Sequence, residues 1–248
     1  MRTNILITGA SSGLGRGMAL EYAARGHNLA LCARRVERLE ALKRELESRF
    51  PAIKVFIRPL DVLDYAQVFE VFRAFRQDLG RLDRVIVNAG AGKGRPIGTG
   101  YFQANRETAE TNFVAALAQC EAALEIFRAQ NDGHLVVVSS VSAVRGMPRN
   151  VTTYAASKAG VAALAEGIRA DVLGTPIRVT TLFPGYIRTE INEKVKNTPF
   201  IIDTEAGCRL LVQAIEREPA EATVPKWPWV PVGLLMRYLP LPVVAKMV

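Results

Sequence analysis

The sequence predicts an α/β fold: a single-domain, Rossmann-like, doubly wound parallel β-sheet flanked by helices. Three observations predict it. Short, continuous apolar runs rich in β-branched residues alternate with longer amphipathic stretches, as expected for strands covered on both faces and joined by crossover helices. A glycine-rich turn follows the first apolar run directly. The length of 248 residues suits one α/β unit with a sizeable core.

The elements follow in order. Ile5-Leu6-Ile7-Thr8 is the first strand, and Leu29-Ala30-Leu31-Cys32 and Val55-Phe56-Ile57 are the second and third. Val85-Ile86-Val87, Leu135-Val136-Val137-Val138 and Val179-Thr180-Thr181-Leu182 continue the series, and Ala222-Thr223-Val224 closes it. Little polar alternation interrupts these runs, so both faces of the sheet are expected to be covered. Between strands, Val36, Leu39, Leu42 and Leu46 recur at intervals of three and four, supported by the pairs Glu40–Arg44 and Glu45–Arg49. Val68, Phe69, Phe72 and Phe75 form a second stripe, read as core because no polar groups accompany it. Ala109 to Phe127, Tyr154 to Leu173 and Glu205 to Arg217 read as the remaining helices. The stretch from Asn192 to Asp203 lacks a clean period and carries Pro199, which suggests a flap. With no repeat and no Gly/Ser linker, one domain over 1–248 is expected.

Composition narrows the function classes. At 49% hydrophobic residues the chain is no disordered or collagen-like protein. Lys and Arg number 32 against 24 Asp and Glu, a formal net charge of +8, which admits nucleic acid, an anionic membrane or an anionic cofactor. The basic residues form no stripe interleaved with aromatics, so nucleic acid is the least favoured partner. Cys32, Cys120 and Cys208 are far apart and in no metal-ligand spacing; neither a disulfide framework nor a metal site is expected, and a cytoplasmic setting is. No apolar run matches a secretory signal or the roughly 20 residues of a membrane span. His27 and His134 have no partner at catalytic spacing and read as surface or turn histidines.

Chemistry concentrates after the strands, where parallel sheets bind ligands. Thr8-Gly9-Ala10-Ser11-Ser12-Gly13-Leu14-Gly15 joins the first strand to a helix. Such a turn aims backbone N–H groups and a helix N-terminus at a pyrophosphate. Its glycine spacing differs from G-x-G-x-x-G, and no Walker Lys-Ser/Thr is present. The second strand ends in Ala33-Arg34-Arg35 without an acid. A carboxylate there would accept the ribose hydroxyls of NAD, whereas arginine accommodates the 2′-phosphate of NADP. Arg34 and Arg35 therefore favour NADP(H) over NAD(H). Tyr154 and Lys158 stand four apart on one helix face with small residues between them, so the ammonium is expected to lower the phenol's pKa toward that of a useful acid–base group. Ser139-Ser140-Val141-Ser142 ends the fifth strand and offers a hydroxyl to a substrate oxygen, with Ser142 a rival to Ser140. Asn88-Ala89-Gly90 ends the fourth strand, and Pro184-Gly185-Tyr186-Ile187-Arg188-Thr189 follows the sixth, its threonine within reach of a carboxamide.

Taken together and in this order, these motifs resemble the short-chain dehydrogenase/reductase family in its single-domain form, across most of the first 190 residues. The resemblance implies that Tyr154 is the catalytic acid/base, that Lys158 tunes it and holds the nicotinamide ribose, that Ser140 orients a carbonyl, and that Asn112 anchors a proton-relay water. It also implies that Asp61 and Val62 flank the adenine and that Ile187 and Thr189 flank the nicotinamide. Two departures stand out: Ser140 lies fourteen positions before Tyr154, one more than is commonest, and no glycine follows Asn112-Phe113-Val114-Ala115. The expected activity is interconversion of an alcohol with a ketone or aldehyde, in a homodimer or homotetramer. Residues 225–248 collect both tryptophans near Lys226, Arg237 and Lys246, a composition open to a lid, a subunit contact or peripheral membrane contact. Any of these leaves room for a lipophilic substrate. The competing reading is a nucleotide-binding sensor or scaffold that docks on a membrane through this tail and performs no chemistry.

Overall fold

Parallel pairing of the apolar runs builds the molecule. The computed structural model describes residues 2–92, 94–190, 192 and 198–247. Strands β1 (Asn4–Thr8), β2 (Asn28–Ala33), β3 (Val55–Pro59), β4 (Arg84–Val87), β5 (Gly133–Val138), β6 (Ile177–Pro184) and β7 (Glu221–Val224) form one parallel sheet in the order β3-β2-β1-β4-β5-β6-β7. The strand order reverses between β1 and β4, and a crevice opens there at the carboxyl ends.

Alternate strand residues feed two cores, one per face. Leu6, Val85, Val87, Leu135 and Val137 pack with Phe72 and Phe75 of α3 (Tyr65–Leu79) and Phe127 of α5 (Ala115–Gln130). Ile5, Ile7, Leu29, Leu31 and Val136 pack with Met18 of α1 (Gly13–Ala23), Leu39 of α2 (Val36–Arg49) and Leu211 of α7 (Thr204–Glu216). Every residue of β1, β4 and β5 is buried, which explains why their runs lack alternation. The helix pairs Glu40–Arg44 and Glu45–Arg49 form as expected.

Two expectations change. The helix read over Ala109 to Phe127 is interrupted: α4 (Phe102–Ala109) passes into a π-helical turn at Glu110–Val114 before α5 begins. Such turns insert a residue into the helical ladder and recur at functional sites, and this one carries Asn112. The histidines are not surface groups. His27 and His134 are both buried. His134 Nδ1 accepts from Arg84 Nε at 2.8 Å, and its Nε2 lies 2.8 Å from Thr180 Oγ1, which in turn donates to Pro219 O. The ring is thereby fixed as the neutral Nε2–H form. Arg84, almost fully buried, reaches Glu216, Glu218 and Tyr22 as well, and Arg2 ties Glu218 to Asp132.

The tail turns out to be helical despite its prolines. Residues of α8 (Lys226–Tyr238) bury Trp229 and Met236, and α9 (Leu241–Met247) follows. Pro225 stands at the N-cap, where its fixed φ is tolerated, and Trp227 departs from helical geometry before the helix settles. Arg145 donates to Met236 O and Leu239 O, holding the last carbonyls of α8. The stretch read as a flap falls largely outside the described residues; Asn192 and residues 198–203 are described. Among the described residues, no helix is long and apolar enough to cross a membrane.

Burial and the Arg84 guanidinium hold His134 well below its ordinary pKa of 6.5. The unfolded chain takes up a proton near pH 6.5 that the folded chain refuses, so this stabilisation is complete above that pH and is lost as the pH falls. The urea midpoint should decline from pH 7 to pH 5, and His134→Gln should make the decline shallower. An unchanged slope in the variant would clear His134 of this role.

Candidate active site

The crevice begins with a turn that only glycine can make. Gly9 has φ +66°, and a Cβ on it would come within 2.9 Å of Ala89 Cα. A Cβ on Gly15 would sit 2.5 Å from Gly9 O and 2.7 Å from Asn88 Nδ2. The absence of both side chains lets α1 close onto the ends of β1 and β4. Thr8 Oγ1 accepts from the backbone N–H groups of Asn88 and Ala89 at 3.0 and 3.1 Å, and Asn88 Nδ2 donates to Thr8 O at 2.9 Å. One amide hydrogen of Asn88 thus helps to hold the two strand ends together. No side chain caps the start of α1, and no acid sits in its first turn, so the N–H groups of Gly13, Leu14 and Gly15 stand at the end that attracts an anion.

The wall toward β2 carries the cations. Arg35 Nε donates to Ser11 Oγ at 3.3 Å, and another of its nitrogens donates to Ser12 Oγ. Arg38, one turn further along α2, lines the same groove with Ser11, Ser12, Gly13 and Arg16, around a space of about 340 Å³. The sequence reading missed Arg38 and Arg16. Arg38 was legible as the residue three after Arg35 on one helix face. Arg34 is exposed and has no hydrogen bond or ion pair among the described residues. Asp61 turns its carboxylate to the Leu63 N–H, and Val62 is buried in the core.

The opposite wall carries the hydroxyl groups. Ser140 lies at the end of β5, and Tyr154 and Lys158 lie on α6 (Thr152–Asp171). The Ser140 hydroxyl lies near enough to the Tyr154 phenol to favour its ionised form. Ser142 donates to Ser140 Oγ at 3.0 Å from its hydroxyl and at 3.2 Å from its backbone N–H. Lys158 Nζ donates to Val138 O at 2.8 Å and lies 5.9 Å from the centre of the Tyr154 ring. Asn112 spends both amide hydrogens, on Ala91 O at 2.9 Å and Ser157 Oγ at 3.1 Å, and its Oδ1 accepts from Ala91 N. Its side chain braces the loop after β4 against α6. Gly90 stands between them, where a Cβ would lie 3.2 Å from Asn112 Oδ1 and 3.5 Å from Lys158 Nζ.

The electrostatics correct one expectation. Burial pushes the Tyr154 phenol above its ordinary value of 10, although the nearby Ser140 hydroxyl opposes this. Burial likewise lowers Lys158 from 10.5 to about 8. The expected lowering of the phenol by the ammonium does not occur, because the lysine is turned onto a carbonyl and both groups are removed from water.

Beyond β6 the chain returns across the crevice. Thr189 rests over the start of α1, with its methyl 3.4 Å from where a Gly13 Cβ would be. Ile187 points into the core against Gly207, and its carbonyl accepts from Asn192 Nδ2 at 2.7 Å. Pro184 ends β6, and Gly185 makes room for the tail, since a Cβ on it would collide with the Trp229 indole at 2.1 Å. Trp229 meets Tyr186 and Phe200 edge-on at ring-centre distances of 5.5 and 6.0 Å. The tail therefore covers the carboxyl end of β6 beside Tyr154.

The model of the short chain dehydrogenase family matches residues 3–199. An uncharacterized oxidoreductase of Mycobacterium tuberculosis is 53% identical over 239 residues, covering 96% of this chain and 94% of that protein. Among solved structures, levodione reductase is 33% identical with a TM-score of 0.72, covering 76% of this chain and 73% of its own. An alcohol dehydrogenase from Thermococcus sibiricus, complexed with 5-hydroxy-NADP, is 25% identical with a TM-score of 0.79, covering 90% and 95%.

The lysine shift has a measurable consequence. Between about pH 8 and 10.5 the unfolded chain keeps a proton on Lys158 that the folded chain releases, so folding stability gains as the pH rises through that window. The thermal midpoint of the parent, relative to that of Lys158→Met, should climb from pH 8 to pH 10. A constant gap would mean that the ammonium is not buried.

Proposed function

This chain belongs to the short-chain dehydrogenase/reductase family, and on that premise we propose that it is an NADP(H)-dependent oxidoreductase that reduces a ketone or aldehyde through Tyr154. As a family member it is an NAD(P)-dependent enzyme acting on a small molecule. The observation that carries the finer reading is the meeting of Ser140, Tyr154 and Lys158 beyond the carboxyl end of β5, with the Lys158 ammonium on the Val138 carbonyl and 5.9 Å from the centre of the Tyr154 ring.

The residues present fit a dinucleotide. The uncapped start of α1, closed onto the sheet by Gly9 and Gly15, suits a pyrophosphate. Arg35, bonded to Ser11 and Ser12, and Arg38 beside them suit a 2′-phosphate better than a ribose hydroxyl, since guanidinium is donor-only. Gly90 keeps the approach to Lys158 open, so its ammonium can exchange the Val138 carbonyl for ribose hydroxyls. When bound, the cofactor supplies the hydride.

The chain's own residues do the rest. A carbonyl oxygen accepts from both Ser140 and Tyr154, which fixes its orientation. A phenol held above 10 keeps its proton at neutral pH, the form needed to protonate the oxygen as reduction proceeds. Ser142 orients Ser140, and Asn112 holds the loop after β4 so that Gly90 stays clear. Tyr186, Trp229 and Phe200 offer an apolar, aromatic wall beside the pair, which favours a lipophilic carbonyl compound, with the tail acting as a lid. This placement of Trp229 favours the lid over a membrane anchor, and the assembled hydroxyl pair favours an enzyme over a scaffold.

Tyr154→Phe should lower kcat by roughly a hundredfold or more while leaving the dissociation constant of NADPH, measured by fluorescence, nearly unchanged. Retained turnover would sink the mechanism. Arg35→Ala and Arg38→Ala should each weaken NADPH binding by roughly tenfold and spare NADH. Equal affinity of the parent for the two cofactors would overturn the cofactor assignment.

A further inference from the structure

Glu190 follows Thr189 directly, beyond the end of β6, yet its carboxylate lies across the crevice on the two arginines. Oε2 accepts from Arg35 Nη1 at 3.0 Å, and Oε1 accepts from Arg38 Nη1 at 2.5 Å. The other nitrogens of Arg35 hold Ser11 and Ser12. Two guanidiniums and two serine hydroxyls beside an uncapped helix start make a seat for an anion, and the chain fills that seat with a carboxylate of its own. Arg38 and Arg35 hold this carboxyl below the usual range, so it stays charged at neutral pH. The contact bridges 155 and 152 positions of sequence. It joins the adenosine side of the groove to the segment that carries Thr189 on the nicotinamide side.

We propose that Glu190 is a tethered stand-in for the cofactor's 2′-phosphate, seated on Arg35 and Arg38 until that phosphate displaces it and frees the segment after β6. The inference rests on the NADP(H) reading above and deepens it. A phosphate carries more charge and more acceptor oxygens than a carboxylate, so it can win both arginines. A ribose hydroxyl carries no charge and leaves Glu190 where it is. Cofactor choice is then a competition between phosphate and carboxylate, and the state of the segment bearing Thr189 reports which cofactor is bound. Exposed ion pairs are individually weak, which suits a contact that an arriving 2′-phosphate has to break.

Adenosine 2′,5′-bisphosphate and 5′-AMP differ only in the 2′-phosphate and serve as matched probes. By calorimetry, Glu190→Gln should tighten the bisphosphate by roughly three- to tenfold and leave 5′-AMP unchanged. By hydrogen exchange, the bisphosphate should speed exchange of the backbone amides of Arg188, Thr189 and Glu190 in the parent protein. 5′-AMP should not, and in Glu190→Gln these amides should exchange fast with either probe or none. If the parent binds both probes equally, the NADP(H) reading falls and the stand-in falls with it. If the parent prefers the bisphosphate but Glu190→Gln fails to tighten it, only the stand-in is overturned. Tighter binding without faster exchange in the parent reduces Glu190 to a repelling charge and also overturns it. Weaker 5′-AMP binding in the variant would make the carboxylate a ribose acceptor, again overturning the proposal.

Discussion

The closure of α1 onto the paired ends of β1 and β4 is the contact on which the remaining site geometry depends. Thr8 supplies one hydroxyl to two backbone donors, and Asn88 returns an amide to the Thr8 carbonyl. Gly9 and Gly15 let these groups meet without side chains between them. One result is a helix N-terminus aimed at the point where the strand order reverses. Another is that the loop after β4 is fixed at its start, so that Asn112 can hold its continuation at Ala91. The arginines beyond β2 and the hydroxyls beyond β5 are thus referred to a single fixed point.

Tyr154 and Lys158 illustrate how burial decides acid–base character when two partners are not in direct contact. Their shifts run in opposite directions, yet share one cause: each neutral form is favoured by removal from water. A close phenol–ammonium contact would reverse both shifts. Here the ammonium is instead bonded to the Val138 carbonyl. The sequence spacing correctly placed both groups on one helix face, but spacing carries no information about which acceptor a flexible lysine selects.

Legibility followed the range of the interactions involved. The strands could be read because complete burial removes polar residues from β1, β4 and β5, and the glycine turn because backbone approach admits no substitute. The π-helical turn at Glu110–Val114 could not be read, since its residues are ordinary helix formers and the insertion shows only in hydrogen bonding. The burial of His134 depends on Arg84 from another strand and Thr180 from a third, a coincidence of register that local spacing does not encode. Helix α8 was hidden by Pro228 and Pro231, which argue locally against a helix. Gly185, read from sequence as part of a cofactor turn, is required by an indole more than forty residues away.

The two ends of the sheet give the positive charge of the chain its meaning. At the amino end the cations are answered in kind: Arg84 by Glu216 and Glu218, Arg2 by Glu218 and Asp132, Arg81 by Asp83 and Asp132. All of those pairs except Arg81–Asp83 bind elements that are distant in sequence, so their role is to hold the sheet. At the carboxyl end, Arg35 and Arg38 share one carboxylate, Glu190, and it arrives on the chain segment that returns over the crevice. Two guanidiniums on one exposed carboxylate leave a local excess of donors and of positive charge, and that excess lies beside the open start of a helix. A structural pair has no need of such an imbalance. An arginine site that must exchange an internal anion for an external one does need it, because the incoming group can win only if the resident leaves donors unsatisfied.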